Sequence, residues 1–414
     1  MQKKLASKGL GITAIFLVLY ILTLSWSSVL RPSAWLPIYN VFLFLGISSF
    51  FFGFLIRQNK SLPKFIIFNE DRLIILFIIL LSFSALINPN SKSINYVLAY
   101  FQVFVICFLL TRSIIIKKLS LRTILNTNTA AVCIASAFIV IEFTLRIFFL
   151  FDIHDYIPSY KEKSMAVVTE GIYRATGFGT EPTQTGFYLC ALGPIAIWNL
   201  YKNINVNNKL KHLLVFFIIL SLIFLFSVSS YLVIFLTTLM FILLRWKWRL
   251  KIFLRFLFSL LLIVFLISLY EPLYLIVLDI LETIWGKMTL SGGGTSTNAR
   301  TNLLLKGLER IYEYPIFGIG IGFSSSIDEA SSINWYVFLM SEAGIPISMV
   351  LFSYMIIQLI RIYKSNIDAR NPLLFGAFAG SAYLGTLSTF FYPNLWFVYI
   401  IYAKIILSEN KEIL

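Results

Sequence analysis

Long apolar segments alternate with short polar segments along almost the whole chain. An apolar α-helix of about 20 residues spans the hydrocarbon core of a bilayer. Applied to this chain, that length predicts twelve membrane-spanning helices, at roughly 10–30, 35–56, 73–87, 94–111, 124–147, 184–201, 211–228, 230–245, 252–270, 335–360, 373–390 and 394–408. The tenth contains Gly344-Ile345-Pro346. Proline inside a helix removes a hydrogen bond, so this helix is predicted to break there.

The composition supports the same class of protein. Hydrophobic residues make up 59% of the chain and charged residues 13%, and the mean hydropathy is +0.86. No soluble domain of this size buries so much apolar surface. A transmembrane β-barrel shows short alternating segments, whereas these apolar segments are long and continuous. We therefore predict an all-α polytopic integral membrane protein in which residues 1–414 form a single transmembrane domain.

The basic residues lie mainly on one side of this predicted topology. With the N-terminus in the cytoplasm, 24 of the 34 Lys and Arg residues fall in cytoplasmic segments, but only 5 of the 19 Asp and Glu residues do. Cytoplasmic loops of membrane proteins carry such an excess of Lys and Arg. The distribution therefore predicts that both termini are cytoplasmic. It also explains the net charge of +15 without a nucleic-acid partner.

Two connections are long, about 148–183 and about 271–334, and both are predicted on the outer side. In the second, Ser291–Thr297 indicates a flexible link rather than a phosphate loop. Asn298 is predicted to cap an amphipathic helix from about Ala299 to Tyr312. Pro315 is predicted to end that helix, and a tight return toward the membrane is expected at Gly318, Gly320 and Gly322.

Arg174 and Glu181 are the candidate functional residues of the first outer connection. Arg174 lies in Tyr173-Arg174-Ala175-Thr176-Gly177-Phe178-Gly179-Thr180-Glu181-Pro182. A guanidinium binds two phosphate oxygens at once, so Arg174 is either a phosphate ligand or an arginine that reaches the membrane interface. Glu181 is either a salt-bridge partner of Arg174 or a base that activates a hydroxyl.

The second outer connection adds Arg300 and Arg310. Arg300 has no acidic residue three or four positions away, which favours a partner from elsewhere, such as a ligand. Arg310 is either a further ligand or the partner of Glu313. On the helix before the first connection, Glu142 is predicted to pair with Arg146 four positions later, with a polar cavity as the alternative. Glu342 is a weaker candidate carboxylate.

Several chemistries lack their signatures in this sequence. The two histidines, His154 and His212, and the three cysteines show no zinc-ligand spacing. There is no P-loop, no dinucleotide-binding fingerprint and no Gly-x-Ser-x-Gly elbow. We therefore expect neither a metal nor an organic cofactor.

The stretches Arg174–Pro182 and Arg300–Phe323 resemble those of the O-antigen polymerase and ligase superfamily of bacterial membrane glycosyltransferases. The second is the more specific, because an arginine is followed about fifteen residues later by Pro315-Ile316-Phe317-Gly318-Ile319-Gly320. The resemblance implies a GT-C-like fold in the inner membrane. It also implies a metal-independent enzyme acting at the periplasmic face on oligosaccharides linked to undecaprenyl diphosphate.

One difference favours a polymerase over a ligase. Ligases of this superfamily usually carry a His-Asn pair before the span that follows the glycine-rich stretch. Here Asn334 is present, but Ile333 occupies the histidine position. Arg174 and Arg300, supported by Arg310 and Asn334, are therefore expected to bind the diphosphate of the substrate, and Glu181 to deprotonate an acceptor hydroxyl.

The expected reaction joins a donor and an acceptor that are both linked to undecaprenyl diphosphate. A polysaccharide chain-length regulator and a flippase are the protein partners that the resemblance implies. Two alternatives remain open: an O-antigen ligase, and a flippase or transporter of lipid-linked oligosaccharide. A glycosyltransferase of this kind is expected to place Arg174 and Arg300 opposite one another across a cavity that opens toward the outer leaflet.

Overall fold

The structure is a computed structural model that describes residues 11–27, 29–30, 36–56, 65–157, 173–244, 295–327, 334–387 and 392–412. For 295–300 and 410–412 it describes the backbone alone. These residues form helices and connecting turns, with no β-strand among them. The α-helices are α1 Ile12–Leu22, α2 Ile38–Ile56, α3 Asp71–Ile87, α4 Ser93–Phe101, α5 Thr111–Lys118, α6 Leu121–Phe149, α7 Pro182–Lys202, α8 Asn208–Phe224, α9 Val228–Leu244, α10 Thr295–Glu313, α11 Phe323–Ser326, α12 Trp335–Ala343, α13 Ile345–Lys364, α14 Arg370–Leu384 and α15 Asn394–Glu412.

Each predicted span that falls within the described residues contains a helix, but the first, 10–30, is helical only over Ile12–Leu22. Among the described residues, four helical segments are long and apolar enough to cross a membrane, namely Ile38–Ile56, Ser93–Lys118, Leu121–Phe149 and Ile345–Lys364. Ser93–Lys118 joins α4 to α5 through a π-helical segment, Gln102–Leu110. The predicted span 252–270 lies outside the described residues. The chain is thus consistent with a helical membrane protein, while twelve spans and two cytoplasmic termini stay predictions.

The predicted tenth span is divided into α12 and α13 at Gly344, as expected. Gly344 adopts φ of +90°, a left-handed conformation that residues with a Cβ rarely adopt. Pro346 lies in the first turn of α13, where a missing N–H leaves no helical hydrogen bond unmade. The break therefore comes from the glycine, and the proline begins the next helix instead of disrupting the previous one.

Helix α7 lies at the centre of the bundle. It packs against α6, α8, α9, α14 and α15, and most of its residues are buried. Small residues permit this close packing: a Cβ on Gly376 of α14 would overlap the carbonyl oxygen of Ala191. Without a hydrophobic driving force between helices in lipid, such close backbone approach is a main source of helix association.

Basic residues predicted to be cytoplasmic meet at one end of the bundle. The buried guanidinium of Arg112 forms a bidentate ion pair with the buried carboxylate of Asp71. Arg361 at the end of α13 pairs with Glu70, and Lys404 of α15 donates to the carbonyl of Ile116 at 2.7 Å. We call this the basic end, and the opposite end, which carries the α3–α4, α6–α7 and α14–α15 connections, the loop end.

Candidate functional site

The loop that carries Arg174 is fixed to α6 by Glu142. The Glu142 carboxylate is buried and accepts three short hydrogen bonds: from the Tyr173 hydroxyl at 2.8 Å, from Thr176 N at 2.8 Å and from Gly177 N at 2.7 Å. The predicted pair of Glu142 with Arg146 is therefore wrong. Arg146 instead lies 3.7 Å from Asp152, because the carboxylate of Glu142 is directed into the loop.

The turn in this loop depends on the glycine at position 177. Gly177 has φ of +63°, and a Cβ there would lie 3.0 Å from Cγ1 of Ile139. The Thr185 hydroxyl donates to the carbonyl of Thr176 at 2.6 Å. The glycine thus serves the turn and its packing on α6, and the N–H groups of Thr176 and Gly177 are already donated to Glu142.

His154 belongs to the same cluster, although nothing in the sequence indicated this. Its Nε2 lies 3.2 Å from Glu142 Oε1 and 3.1 Å from the Thr176 hydroxyl. Burial lowers the pKa of His154, but the carboxylates of Glu142, Asp152 and Asp155 outweigh it, and the pKa is raised overall. A protonated His154 would offset the charge of Glu142 beneath the loop.

Arg174 itself is partly buried at the loop end. Its charge acts on the hydroxyls of Tyr231, in the first turn of α9, and Tyr383, in the last turn of α14. The Tyr383 hydroxyl also forms a hydrogen bond with Ser230. Arg174 therefore lies near polar side chains of two helices, α9 and α14.

Glu181 occupies the residue before α7, and Pro182 is the first residue of that helix. Its side chain is exposed and makes no hydrogen bond or ion pair with another described residue. The salt bridge with Arg174 considered from the sequence is thus not formed. A role for Glu181 as a base stays a prediction.

The glycine-rich segment that follows α10 packs between two parts of the bundle. Ser84 donates to the carbonyl of Phe317 at 2.8 Å, Asn88 to that of Gly318 at 2.8 Å and Asn90 to that of Ile321 at 3.0 Å. On the other side, Ile319 N donates to Ser341 O at 2.9 Å and Gly320 N to Glu342 O at 3.0 Å. The segment therefore lies between the α3–α4 connection and the end of α12.

The glycines of this segment are required by that close passage. Gly318, Gly320 and Gly322 all have positive φ. A Cβ on Gly318 would overlap the backbone carbonyl of Glu342. The tight return predicted from the sequence is confirmed, and its cause is backbone packing.

Glu342 anchors this second segment as Glu142 anchors the first. Its buried carboxylate accepts hydrogen bonds from Gly322 N at 2.7 Å and Ser324 N at 3.0 Å. The carboxylate considered a weak catalytic candidate thus has a clear positioning role.

Arg310 is directed toward the same anchored segment. Its Nη1 donates to the Ser324 hydroxyl at 3.0 Å, and its guanidinium lies 5.4 Å from the centre of the Phe323 ring. The expected alternative, a pair with Glu313, is not formed; Glu313 is exposed. Arg310 therefore links α10 to the glycine-rich segment.

Arg300 lies within α10, but its side chain is outside the described residues, so its separation from Arg174 stays a prediction. The helix itself is confirmed, although it begins at Thr295. Asn298 therefore does not cap it, because this residue lies inside the helix. Of the proposed flexible link, Thr295–Thr297 are helical and 291–294 lie outside the described residues.

Asn334 has a structural role that the sequence reading did not foresee. Its Oδ1 accepts hydrogen bonds from Tyr336 N at 3.0 Å and Val337 N at 3.3 Å, so it caps the N-terminus of α12. The Tyr336 hydroxyl donates to Ser381 O at 2.6 Å, and Ser381 lies two residues before Tyr383. The start of α12 and the surroundings of Arg174 are thus neighbours on the two sides of α14.

Residues 213–346 match the family model described as O-Antigen ligase, which covers about a third of the chain. The match runs from α8 to the first turn of α13. It includes Arg300, Arg310, Asn334 and Glu342, and leaves out Arg174 and Glu142. No curated protein matches the chain. The match supports the O-antigen polymerase and ligase superfamily and a role in assembling lipid-linked polysaccharide, without separating polymerase from ligase.

Proposed function

We propose that this protein is a polymerase of lipid-linked oligosaccharide repeats, working at the periplasmic face of the bacterial inner membrane. The observation that carries the proposal is the family match across α10, the glycine-rich segment and α12. Ile333 at the position where ligases usually carry histidine favours polymerase within that superfamily. The proposed substrates are a donor and an acceptor, each linked to undecaprenyl diphosphate.

In the proposed reaction, a hydroxyl oxygen of the acceptor sugar attacks the anomeric carbon of the donor. A new glycosidic C–O bond forms, and the bond between that carbon and the diphosphate oxygen breaks. Undecaprenyl diphosphate leaves as an anion, and the hydroxyl proton passes to a base or to water. Because the leaving group is already a stable anion, the protein chiefly has to bind it and align the acceptor.

Arg174 and Arg300 are the proposed ligands of the diphosphate. Support for Arg174 comes from its place on a loop fixed by three short hydrogen bonds to Glu142. A ligand held this firmly loses little conformational entropy when it binds. The N–H groups of Thr176 and Gly177 are donated to Glu142, and those of Gly322 and Ser324 to Glu342, so the proposal assigns the phosphate oxygens to arginine side chains.

Arg310 and Asn334 are weaker candidates for direct substrate contact. Arg310 donates to Ser324, and Asn334 caps α12. Each therefore has a structural function that accounts for its position. Glu181 is exposed beside the Arg174 loop, which gives a base access to an incoming hydroxyl.

The decisive experiment incubates the purified protein with lipid-linked repeats alone. Longer lipid-linked products support the polymerase. Products that form only when a separate acceptor, such as lipid A core, is supplied would establish the ligase instead. This second candidate rests on the matched family, which is described as O-Antigen ligase. Movement of lipid-linked sugar across vesicles without any new glycosidic bond would refute both transferases and identify a flippase.

A further inference from the structure

Helix α10 has three distinct faces. One is partly or fully buried and packs against α12. A second is exposed and polar and carries Asn302, Lys306, Glu309 and Glu313. The third is exposed and apolar: Leu305 is 56% exposed, Leu308 47% and Tyr312 89%.

The helical period keeps these faces apart. At about 100° per residue, Leu305, Leu308 and Tyr312 fall within a sector of about 60°. Gly307, which is buried, lies about 200° from Leu305 on the same scale, on the side toward α12. The polar residues occupy the sector on the other side of the apolar one. The apolar face therefore borders the packed face on one side and the polar face on the other.

The exposed apolar surface continues beyond the end of α10 onto a candidate membrane span. Ile316 and Phe317 are exposed. The carbonyl of Pro315 accepts a hydrogen bond from Ile345 N at 2.8 Å. Ile345 is the first residue of α13, which is apolar enough to cross a membrane and exposes Met349, Ile356 and Ile360 along one side.

From this continuity we propose that α10 lies in the membrane interface with Leu305, Leu308 and Tyr312 inserted among the lipids. A helix with one apolar and one polar face binds in this way, with its axis along the membrane plane. Tyrosine is enriched at that depth, since its ring is apolar and its hydroxyl is polar. The polar face carries one lysine and two glutamates, so the contact is apolar and does not depend on anionic lipids. This inference is independent of the proposed enzymatic function.

The test uses spin labels on the full-length protein in lipid nanodiscs. Cys107, Cys133 and Cys190 are first replaced by alanine, and single cysteines are then introduced as Leu305→Cys, Leu308→Cys and, as matched controls, Lys306→Cys and Glu309→Cys. Collision rates are measured with oxygen, which concentrates in lipid, and with a water-soluble nickel chelate. The labels at 305 and 308 should collide more often with oxygen than with the nickel chelate. The labels at 306 and 309 should show the opposite preference.

Changing the salt concentration should leave the collision rates of the labels at 305 and 308 unchanged. Equal nickel access at 308 and 309 would overturn the proposal, because both faces would then be in water. Protection of 308 from both reagents, with spin–spin broadening that disappears on dilution with unlabelled protein, would also overturn it. That result would show that a second copy of the chain covers the face.

Discussion

Glu142 accepts the backbone N–H of Gly177 at 2.7 Å. This contact, with those to Thr176 and Tyr173, fixes the loop that carries Arg174 to a helix that precedes it in the chain. Glu342 bonds to Gly322 at the same distance, so the Arg174 loop and the glycine-rich segment are each anchored by a buried glutamate. Each glutamate bonds to N–H groups near a glycine with positive φ.

Glu142→Gln should loosen the Arg174 loop. Glutamine offers one oxygen where the carboxylate offers two, so at least one N–H of Thr176 or Gly177 loses its acceptor. An unsatisfied buried donor costs about 1–3 kcal/mol. We expect faster hydrogen exchange in peptides covering 173–180. Glu181→Gln is the matched control, since Glu181 is exposed, and it should leave this exchange unchanged. Equal exchange in Glu142→Gln and wild type would contradict the anchoring role.

Protection of the same loop should fall as the pH rises. The pKa of His154 is raised above its ordinary value of 6.5, so its protonated form favours the folded loop. That contribution is complete below about pH 6.5 and is lost as the pH passes the folded-state value. Hydrogen exchange of 173–180, corrected for intrinsic rates, measures it. His154→Gln should abolish the pH dependence, and its persistence in that variant would assign the effect to another group.

Arg174→Ala should lower polymerisation strongly under the proposed function, because an anion ligand is lost. Arg174→Lys should also be impaired, since an ammonium does not reproduce the planar fork of a guanidinium. Arg300→Ala should likewise lower polymerisation strongly, and Arg300→Lys should also be impaired. Restoration of long-chain polysaccharide in a polymerase-deficient host measures activity, with Lys306→Ala on the same helix as Arg300 as the control. Normal activity of both alanine variants at normal expression would exclude the assigned roles.

Gly318→Ala should destabilise the fold. Its φ of +66° is a left-handed conformation, and an added Cβ would overlap the carbonyl of Glu342. The conformational term alone is about 1–2 kcal/mol. Gly53→Ala in α2 is the control, because a Cβ there meets nothing within 4 Å. Thermal unfolding in detergent should show a lower midpoint for the first variant only. Equal midpoints would mean that the glycine-rich segment shifts to accept a side chain.

Asp71→Ala should destabilise the basic end severely. It leaves the buried Arg112 guanidinium without its carboxylate, and breaking a buried ion pair by removing one partner costs about 3–5 kcal/mol. Lys202→Ala removes one partner of the exposed pair with Asp368, which contributes about 0–1 kcal/mol. The two unfolding midpoints should therefore differ clearly. Simultaneous replacement of Asp71 and Arg112 by apolar residues should recover part of the loss.

The sequence by itself determined the class of protein, most helix positions and a break near Gly344. Apolar length and the exclusion of proline from helix interiors are local properties, so they can be recognised in a short stretch of chain. That Gly344 makes the break, and that Pro346 begins the next helix, was seen only in the structure. The approximate extent of α10 followed from the same local rules. Its first residue did not, because Asn298 is as compatible with the inside of that helix as with its cap.

Only the tertiary structure decided the partners of the charged groups. Arg146 was the nearest cation to Glu142 along the helix, yet Glu142 bonds to a loop about thirty residues later in the chain. His154 joins that cluster through contacts that the spacing of residues along the chain does not predict. A buried carboxylate requires several donors at once, and backbone N–H groups supply them only after the loop has folded against the helix. The length and composition of the two long connections therefore singled them out in the sequence. Tertiary packing decided which residues hold them in place.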